Sequence, residues 1–275
     1  MFALKTYCAP NRDNGNGGKM ESLFIGVAVA LLTFIVGMLG LRVQTWLNEH
    51  NSVEKSRDMI GSVVGLLSLL LALVLGTLIG NTYYFSTGQQ AQLQSMMSSV
   101  VLMDKSLGEF GPETKPLRDG AKVALQRIYD DVWVKGNVDP QKLSVAGAMD
   151  AMLPFEKALA GLGALSGKSP EQQAALASAQ AKYSAFMSTR IMMSLQLAVP
   201  FAKALLVVVI IWAVLLFFGY GLLSRHNTTT VVALAFGSIC VSFAMFIIVE
   251  LGQPYSGLFR ISPAALVQTI EAIDR

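Results

Sequence analysis

A run of about 45 residues, Met59 to Met103, contains no Asp, Glu, Lys or Arg. Its first half, Met59 to Gly80, is apolar and leucine-rich, with Leu66, Leu67, Leu69, Leu70, Leu71, Leu73, Val74 and Leu75. At about 1.5 Å per residue, that half crosses a bilayer core of about 30 Å. The second half, Asn81 to Met103, is polar without being charged. From there on, Leu93, Met96, Met97, Val100, Met103 and Leu107 recur at helical spacing. No proline interrupts the run, and Gly88 is the only glycine between Gly80 and Gly108. The pattern predicts one helix that spans a membrane and continues out of it, reaching about 68 Å.

Three more charge-free runs follow the same logic: Ser22 to Leu41, Ala204 to Leu223 and Thr228 to Val249. They account for a charged fraction of only 14% in 275 residues, against about 25% in soluble domains. The fold class is therefore an all-α integral membrane protein, with four transmembrane helices and an extramembrane helical bundle inserted between helices 2 and 3. Residues 1–20 read as a disordered tail, because Asn11, Asn14, Asn16 and Gly15, Gly17, Gly18 cannot bury a core. Residues 21–82 form a transmembrane hairpin with spans 22–41 and 59–80. Residues 83–200 form the extramembrane module. Residues 201–250 form a second hairpin with spans 204–223 and 228–249. Residues 251–275 are a C-terminal turn and an amphipathic helix. No small-residue cleavage pattern follows the first apolar run, so it is not read as a cleaved signal. Met20 directly precedes that run and is a second candidate start for translation.

Punctuation along the chain sharpens these limits. Arg42 to Asp58 is a polar hairpin, with Trp46 at headgroup depth. Tyr83 and Tyr84 mark the exit of the second span. Gly26, Gly37 and Gly40, and the pairs Gly61/Gly65 and Gly76/Gly80, permit close helix approach. Gly108 and Gly111-Pro112 end the long helix. Leu117, Ala121, Ala124, Leu125, Ile128 and Val132 give the next helix an apolar face ending near Trp133. A turn at Lys135-Gly136-Asn137 and Asp139-Pro140 leads to a helix from Leu143 to Leu162, broken by Gly161, Gly163 and Gly167. Ser169-Pro170-Glu171 starts another helix, with an N-cap, a proline at the first position and an acid in the first turn. Pro200 stops or kinks it at the membrane surface. The turn Ser224 to Asn227, holding Arg225 and His226, makes the last two spans an antiparallel hairpin. Ser262-Pro263 opens a final helix whose Leu266, Ile270 and Ile273 lie on the membrane or on a neighbour.

Chemistry is sparse. The two histidines, His50 and His226, sit in polar turns without Cys or His neighbours, so no metal site is expected. Cys240 lies mid-span with no basic neighbour and reads as inert packing. No nucleophile–base grouping or nucleotide loop is present, so neither enzyme activity nor a cofactor is expected. A net charge of +3 gives no case for nucleic acid. Glu250 is the sharpest residue, because an ionisable group at a span's end is a functional hypothesis. It holds the Gln253, Pro254, Gly257 turn or pairs with Arg260; the alternative is a lining charge at a pore mouth or a subunit contact. Gly76, Thr77, Gly80 and Asn81 are candidates for either a conduction path or helix packing. The Leu93, Met96, Met97, Val100 stripe reads as bundle core.

Three stretches resemble the bacterial bestrophin-like domain family. The first is Val249-Glu250-Leu251-Gly252-Gln253-Pro254-Tyr255-Ser256-Gly257, continuing to Pro263, which is similar to that family's acidic-Leu-acidic-x-Pro-aromatic-x-Gly ending. The second is Leu102-Met103-Asp104-Lys105 with Gly111-Pro112-Glu113. The third is Arg225-His226-Asn227-Thr228-Thr229. The chain departs from the pattern at Gly252, where the family carries a second acid, so a two-acid site is not carried over. The resemblance implies kinship of layout with anion channels that assemble as pentamers, but layout does not carry function. Two functions stay open. One is an oligomeric ion channel, for anions, with the second span lining the path. The other is a non-transport scaffold or sensor acting through the module. The expected partners are a lipid bilayer, further copies of the chain and a small inorganic ion. The expected location is a bacterial inner membrane, with Arg42, Lys55, Arg57 and Arg225 leaning the hairpins to the cytoplasm and the module to the periplasm.

Overall fold

The computed structural model describes residues 17–48, 57–134, 144–164, 169–198, 203–255 and 257–273. Every element among them is helical. Helix α1 is Gly17–Asn48, α2 Arg57–Phe110, α3 Lys115–Tyr129, α4 Val145–Ala164, α5 Pro170–Ala198, α6 Lys203–Leu223, α7 Thr228–Leu251 and α8 Ala264–Ile273. Four of them, α1, α2, α6 and α7, are long and apolar enough to cross a membrane. Helix α2 has 54 residues, a length of about 81 Å.

Helix α1 begins at Gly17, so residues 17–20, assigned above to the tail, are helical. A helix nucleated by a long apolar run propagates outward at one hydrogen bond per residue. Residues 1–16 lie outside the described residues, as do the hairpin residues 49–56 with His50, the turn at 135–143, and Gly167 and Pro200. Gly161 and Gly163 do not break α4, which runs through both to Ala164. A single glycine weakens a helix by about 1 kcal/mol, which packing on one face outweighs.

The apolar helices pack by two devices. Small residues let backbones touch: a Cβ on Gly40 would collide with Phe218 O, and one on Gly221 would collide with Gly37 O. Hydrogen bonds supplement packing where lipid offers no hydrophobic drive. Ser242 Oγ donates to Gly26 O at 2.6 Å, tying α7 to α1. At the opposite end of the spans, Arg57 Nη2 donates to Leu223 O at 2.7 Å, satisfying a terminal carbonyl of α6. Asn227 Oδ1 accepts from Thr230 N at 2.7 Å and caps α7.

Beyond its apolar half, α2 becomes the spine of a helical bundle. Leu93, Met96, Met97 and Val100 are buried with Leu125, Phe186, Ile261 and Leu266. Further along, Met103, Leu107 and Phe110 pack with Leu159, Leu176 and Ala179. Asp104 accepts two 2.7 Å hydrogen bonds from Arg118, joining α2 to α3. Gly111, at φ 138, turns the chain where a side chain would be strained. Ser169 and Gln172 cap α5 reciprocally, each backbone N–H donating to the other's side-chain oxygen. A π-helical turn, Asp130–Val134, extends α3 and carries Trp133. Helix α8 packs on a neighbour: Leu266 is buried, and Ile270 and Ile273 lie against the same core.

Candidate functional site

Two features stand out, and both involve α2. The first surrounds Glu250, the last acid of α7, which is 2% exposed. Ser22 Oγ, at the start of α1, donates to Glu250 Oε2 at 2.5 Å. Leu258 N donates to Glu250 Oε1. Gly257, at φ 88, makes this geometry reachable, and any Cβ there would collide with the Glu250 carboxylate. The side chain of Glu250 therefore clamps the first span to the turn that follows the last. Arg260 is exposed, and the carboxylate is held instead by Ser22 and Leu258.

The rest of the turn is fastened to the bundle. Ile261 N donates to Pro254 O at 2.8 Å, closing the loop. Pro254 is buried, and Gln253 N donates to Glu250 O at 3.1 Å. Ser262 N donates to Gln90 Oε1 at 3.1 Å. Trp133 Nε1 donates to Ile261 O at 2.9 Å, and its ring meets Tyr255 edge-on. Tyr255 Oη donates to Gln89 Oε1 at 3.3 Å, while Gln89 Nε2 donates to Gln196 Oε1 at 2.7 Å. Gln89 is fully buried. Burial pushes the Tyr255 phenol above its ordinary range, so it stays a neutral donor. The Gln89–Gln196–Tyr255 chain went unread in the sequence, because single amides on separate helices leave no periodic signal.

The second feature is the face of α2 that nothing described in the chain covers. Val64, Leu71 and Leu78, spaced by seven, are buried, and Val64 fits against Gly219 of α6. On the other side, Leu66, Leu69, Leu73, Gly76 and Tyr84 are exposed. The same strip continues outward through exposed Thr87, Ala91, Gln94, Ser98 and Leu102. Around a helix of 3.6 residues per turn these positions fall on one side. A Cβ added at Gly61, Gly65, Gly76 or Gly80 would meet nothing within 4 Å. Asn81 is exposed, and Thr77 Oγ1 turns back to donate to Val74 O at 2.9 Å. Gly76, Thr77, Gly80 and Asn81 therefore do not pack against another described helix of the same chain through close contact or hydrogen bonding. They also stand apart from the Glu250 turn, on the uncovered side of α2.

A family model described as Bestrophin-like domain matches residues 28–266. The chain belongs to the bestrophin-like domain family. No curated protein matches it, and no solved structure does. The matched range takes in all of α2, Glu250 and the turn to Pro263. In this bestrophin-like chain the α2 face and Glu250 with its turn are thus parts of the family domain, while Ser22, which holds Glu250, lies before the matched range. Among the described residues, no group of three or more His, Cys, Asp or Glu side chains could hold a metal.

Proposed function

We propose that copies of this bestrophin-like chain assemble into a ring in a bacterial inner membrane, with the uncovered face of α2 turned toward an axial ion path. The module of α3, α4, α5 and outer α2 then stands outside the bilayer. The lean of hairpin Arg and Lys residues favours the periplasmic side for it.

The single observation behind this reading is that the uncovered strip stays neutral from Met59 to Met103 while α3 of the same module is strongly charged. A solvated bundle surface normally mixes both charges at about 25–35%. Helix α3 does so, with Lys115, Arg118, Asp119, Lys122 and Arg127 in 15 residues, while α5 carries only Glu171, Lys182 and Arg190 in 29. The outer α2 strip instead offers Thr87, Ala91, Gln94 and Ser98. Hydroxyls and amides without fixed charge suit weak, multi-site contact with a passing ion. Within the bilayer half, Leu66, Leu69 and Leu73 would make an apolar constriction that gates by dewetting. Family kinship in layout points to an anion.

The test is conductance of purified protein in a planar bilayer, paired with its subunit number from native mass spectrometry. The background carries Cys8→Ala and Cys240→Ala, which removes both cysteines of the chain. A ring with a current that a charged thiol reagent blocks at Ser98→Cys supports the path. A monomer or dimer with no current overturns it and leaves the scaffold or sensor reading. The reversal potential across a chloride gradient decides the sign of the ion.

A further inference from the structure

The turn after α7 carries three consecutive exposed residues, Leu258, Phe259 and Arg260. Leu258 is 65% exposed and Phe259 53%. A single exposed apolar residue needs no explanation, but this pair sits on an irregular turn whose backbone is fixed. Leu258 N donates to the Glu250 carboxylate. Ile261 N donates to Pro254 O at 2.8 Å. Gly257 and Ile261, which flank the three residues, are both buried. The turn therefore holds its two ends against the protein and presents Leu258, Phe259 and Arg260 outward.

Depth decides which medium they meet. The same carboxylate accepts from Ser22 Oγ at 2.5 Å. Ser22 opens the apolar length of α1, Ser22–Trp46, which has 25 residues. At about 1.5 Å per residue this length reaches about 37 Å, a hydrocarbon core of about 30 Å with little left over at either end. Ser22 and Glu250 therefore mark one boundary of the core, and Leu258 hangs from that boundary by its backbone. Leu23 and Phe24, next along α1, are exposed on the surface of a span, where the medium is acyl chain. Leu258 and Phe259 carry exposed apolar surface at the same level. Arg260 adds a cation there, and the layer bordering the core is where lipid phosphates lie.

We propose that this turn is an interfacial anchor, with Leu258 and Phe259 inserted at the acyl boundary of the module-side leaflet and Arg260 paired with phospholipid phosphate. The apolar pair supplies the buried area, and the arginine keeps its charge in the headgroup layer. The Glu250 clamp then sets the depth of the anchor. The probe is a nitroxide on Leu258→Cys or Phe259→Cys, in full-length protein lacking Cys8 and Cys240. The protein is held in nanodiscs of phosphatidylethanolamine and phosphatidylglycerol. Oxygen, which partitions into acyl chains, is compared with a water-soluble nickel chelate as relaxing agent. At both positions oxygen is expected to exceed the chelate at least about three-fold, as at Phe24→Cys. At Val123→Cys, exposed on α3, the chelate is expected to dominate. Chelate access equal to that at Val123 places the turn in water and overturns the proposal. Exclusion of both agents, with broadening between labels, makes the turn a contact between copies and overturns it equally. In protein labelled at Phe259→Cys, Arg260→Glu is expected to cut the oxygen excess at least about two-fold, and Arg260→Lys to keep it. An unchanged excess in Arg260→Glu overturns the phosphate contact. No readout here is a current, so the anchor and the ion path stand or fall separately.

Discussion

The chain carries two sets of membrane glycines that look alike in sequence and differ in surroundings. On α1 and α6, Gly37, Gly40 and Gly221 are pressed against neighbouring helices. On α2, Gly61, Gly65, Gly76 and Gly80 face open space. Small residues at four-residue spacing allow close approach in a membrane, but they do not say what approaches. In the first set the partner is supplied by the same chain. In the second, no described part of the chain supplies one. That is why the α1–α6 seam reads as architecture and the α2 face is the surface proposed above to line an ion path.

The largest effect is expected where the seam is tightest. Gly221→Leu puts a side chain where even a Cβ would collide with Gly37 O and lie 2.9 Å from Gly40 Cα. Backbone cannot yield as a flexible side chain can, so a loss of about 4 kcal/mol or more is expected. The measurement is the yield of folded protein and its thermal unfolding in nanodiscs. If Gly221→Leu unfolds at the parent's temperature, the seam is not a structural contact and the contrast fails.

A middle-sized effect is expected at Gly257, whose constraint is a carboxylate rather than a backbone. Gly257→Ala is strained twice, by φ 88 and by collision with Glu250. Together these are expected to destabilise the fold by about 2–3 kcal/mol. In a Glu250→Ala background the collision is gone, so only the strain of φ, about 1 kcal/mol, is expected to remain. Equal losses in both backgrounds would mean the clamp does not constrain the turn. A double-mutant cycle on thermal unfolding reads the difference.

These examples also mark where sequence stops being legible. The long α2 was readable because an uncharged run without proline has few other structures open to it. The buried face from Leu93 to Leu107 was readable by period. Glu250 stood out as an acid at the end of an apolar run, but its partner Ser22 lies 228 positions away. Nothing local encodes such a pairing, so the sequence offered only the turn itself or the nearby cation Arg260 as what Glu250 holds, and Arg260 lies exposed. Most plainly, Gly37 and Gly40 on α1 and the pairs Gly61/Gly65 and Gly76/Gly80 on α2 were all read as places of close approach, Gly221 was not singled out, and only the packed chain separated the two sets.

A smaller effect concerns the turn that Glu250 clamps, which is closed within the chain as the α1–α6 seam is. Tyr255 ionises with more difficulty when folded than its ordinary value of 10.0. Above pH 10 the unfolded chain gives up this proton first, so it binds fewer protons than the folded one. Stability contributed by the neutral phenol is therefore full below about pH 10 and falls as pH rises beyond it, because the unfolded state gains by deprotonating. One such group contributes a slope of about 1.4 kcal/mol per pH unit. Tyr255→Phe is expected to flatten that part of the unfolding profile between about pH 9 and pH 11. An identical profile in the variant would detach Tyr255 from the buried network.

The smallest effect on stability is expected at Gly76, and it is the one that separates the two glycine sets most sharply. A Cβ there meets nothing within 4 Å. In a single chain, Gly76→Leu even adds helix propensity, by about 1 kcal/mol at most. Thermal unfolding of monomeric protein is thus expected to move little, where Gly221→Leu moves it most. Assembly and conductance are another matter. If α2 faces line a ring, the introduced leucine side chains from every copy crowd the same level of the axis. Current is then expected to fall at least about ten-fold with the fold intact. If unfolding and current both stay at parent values, the open glycines of α2 face only lipid. The ion path would then have to be sought along some other surface.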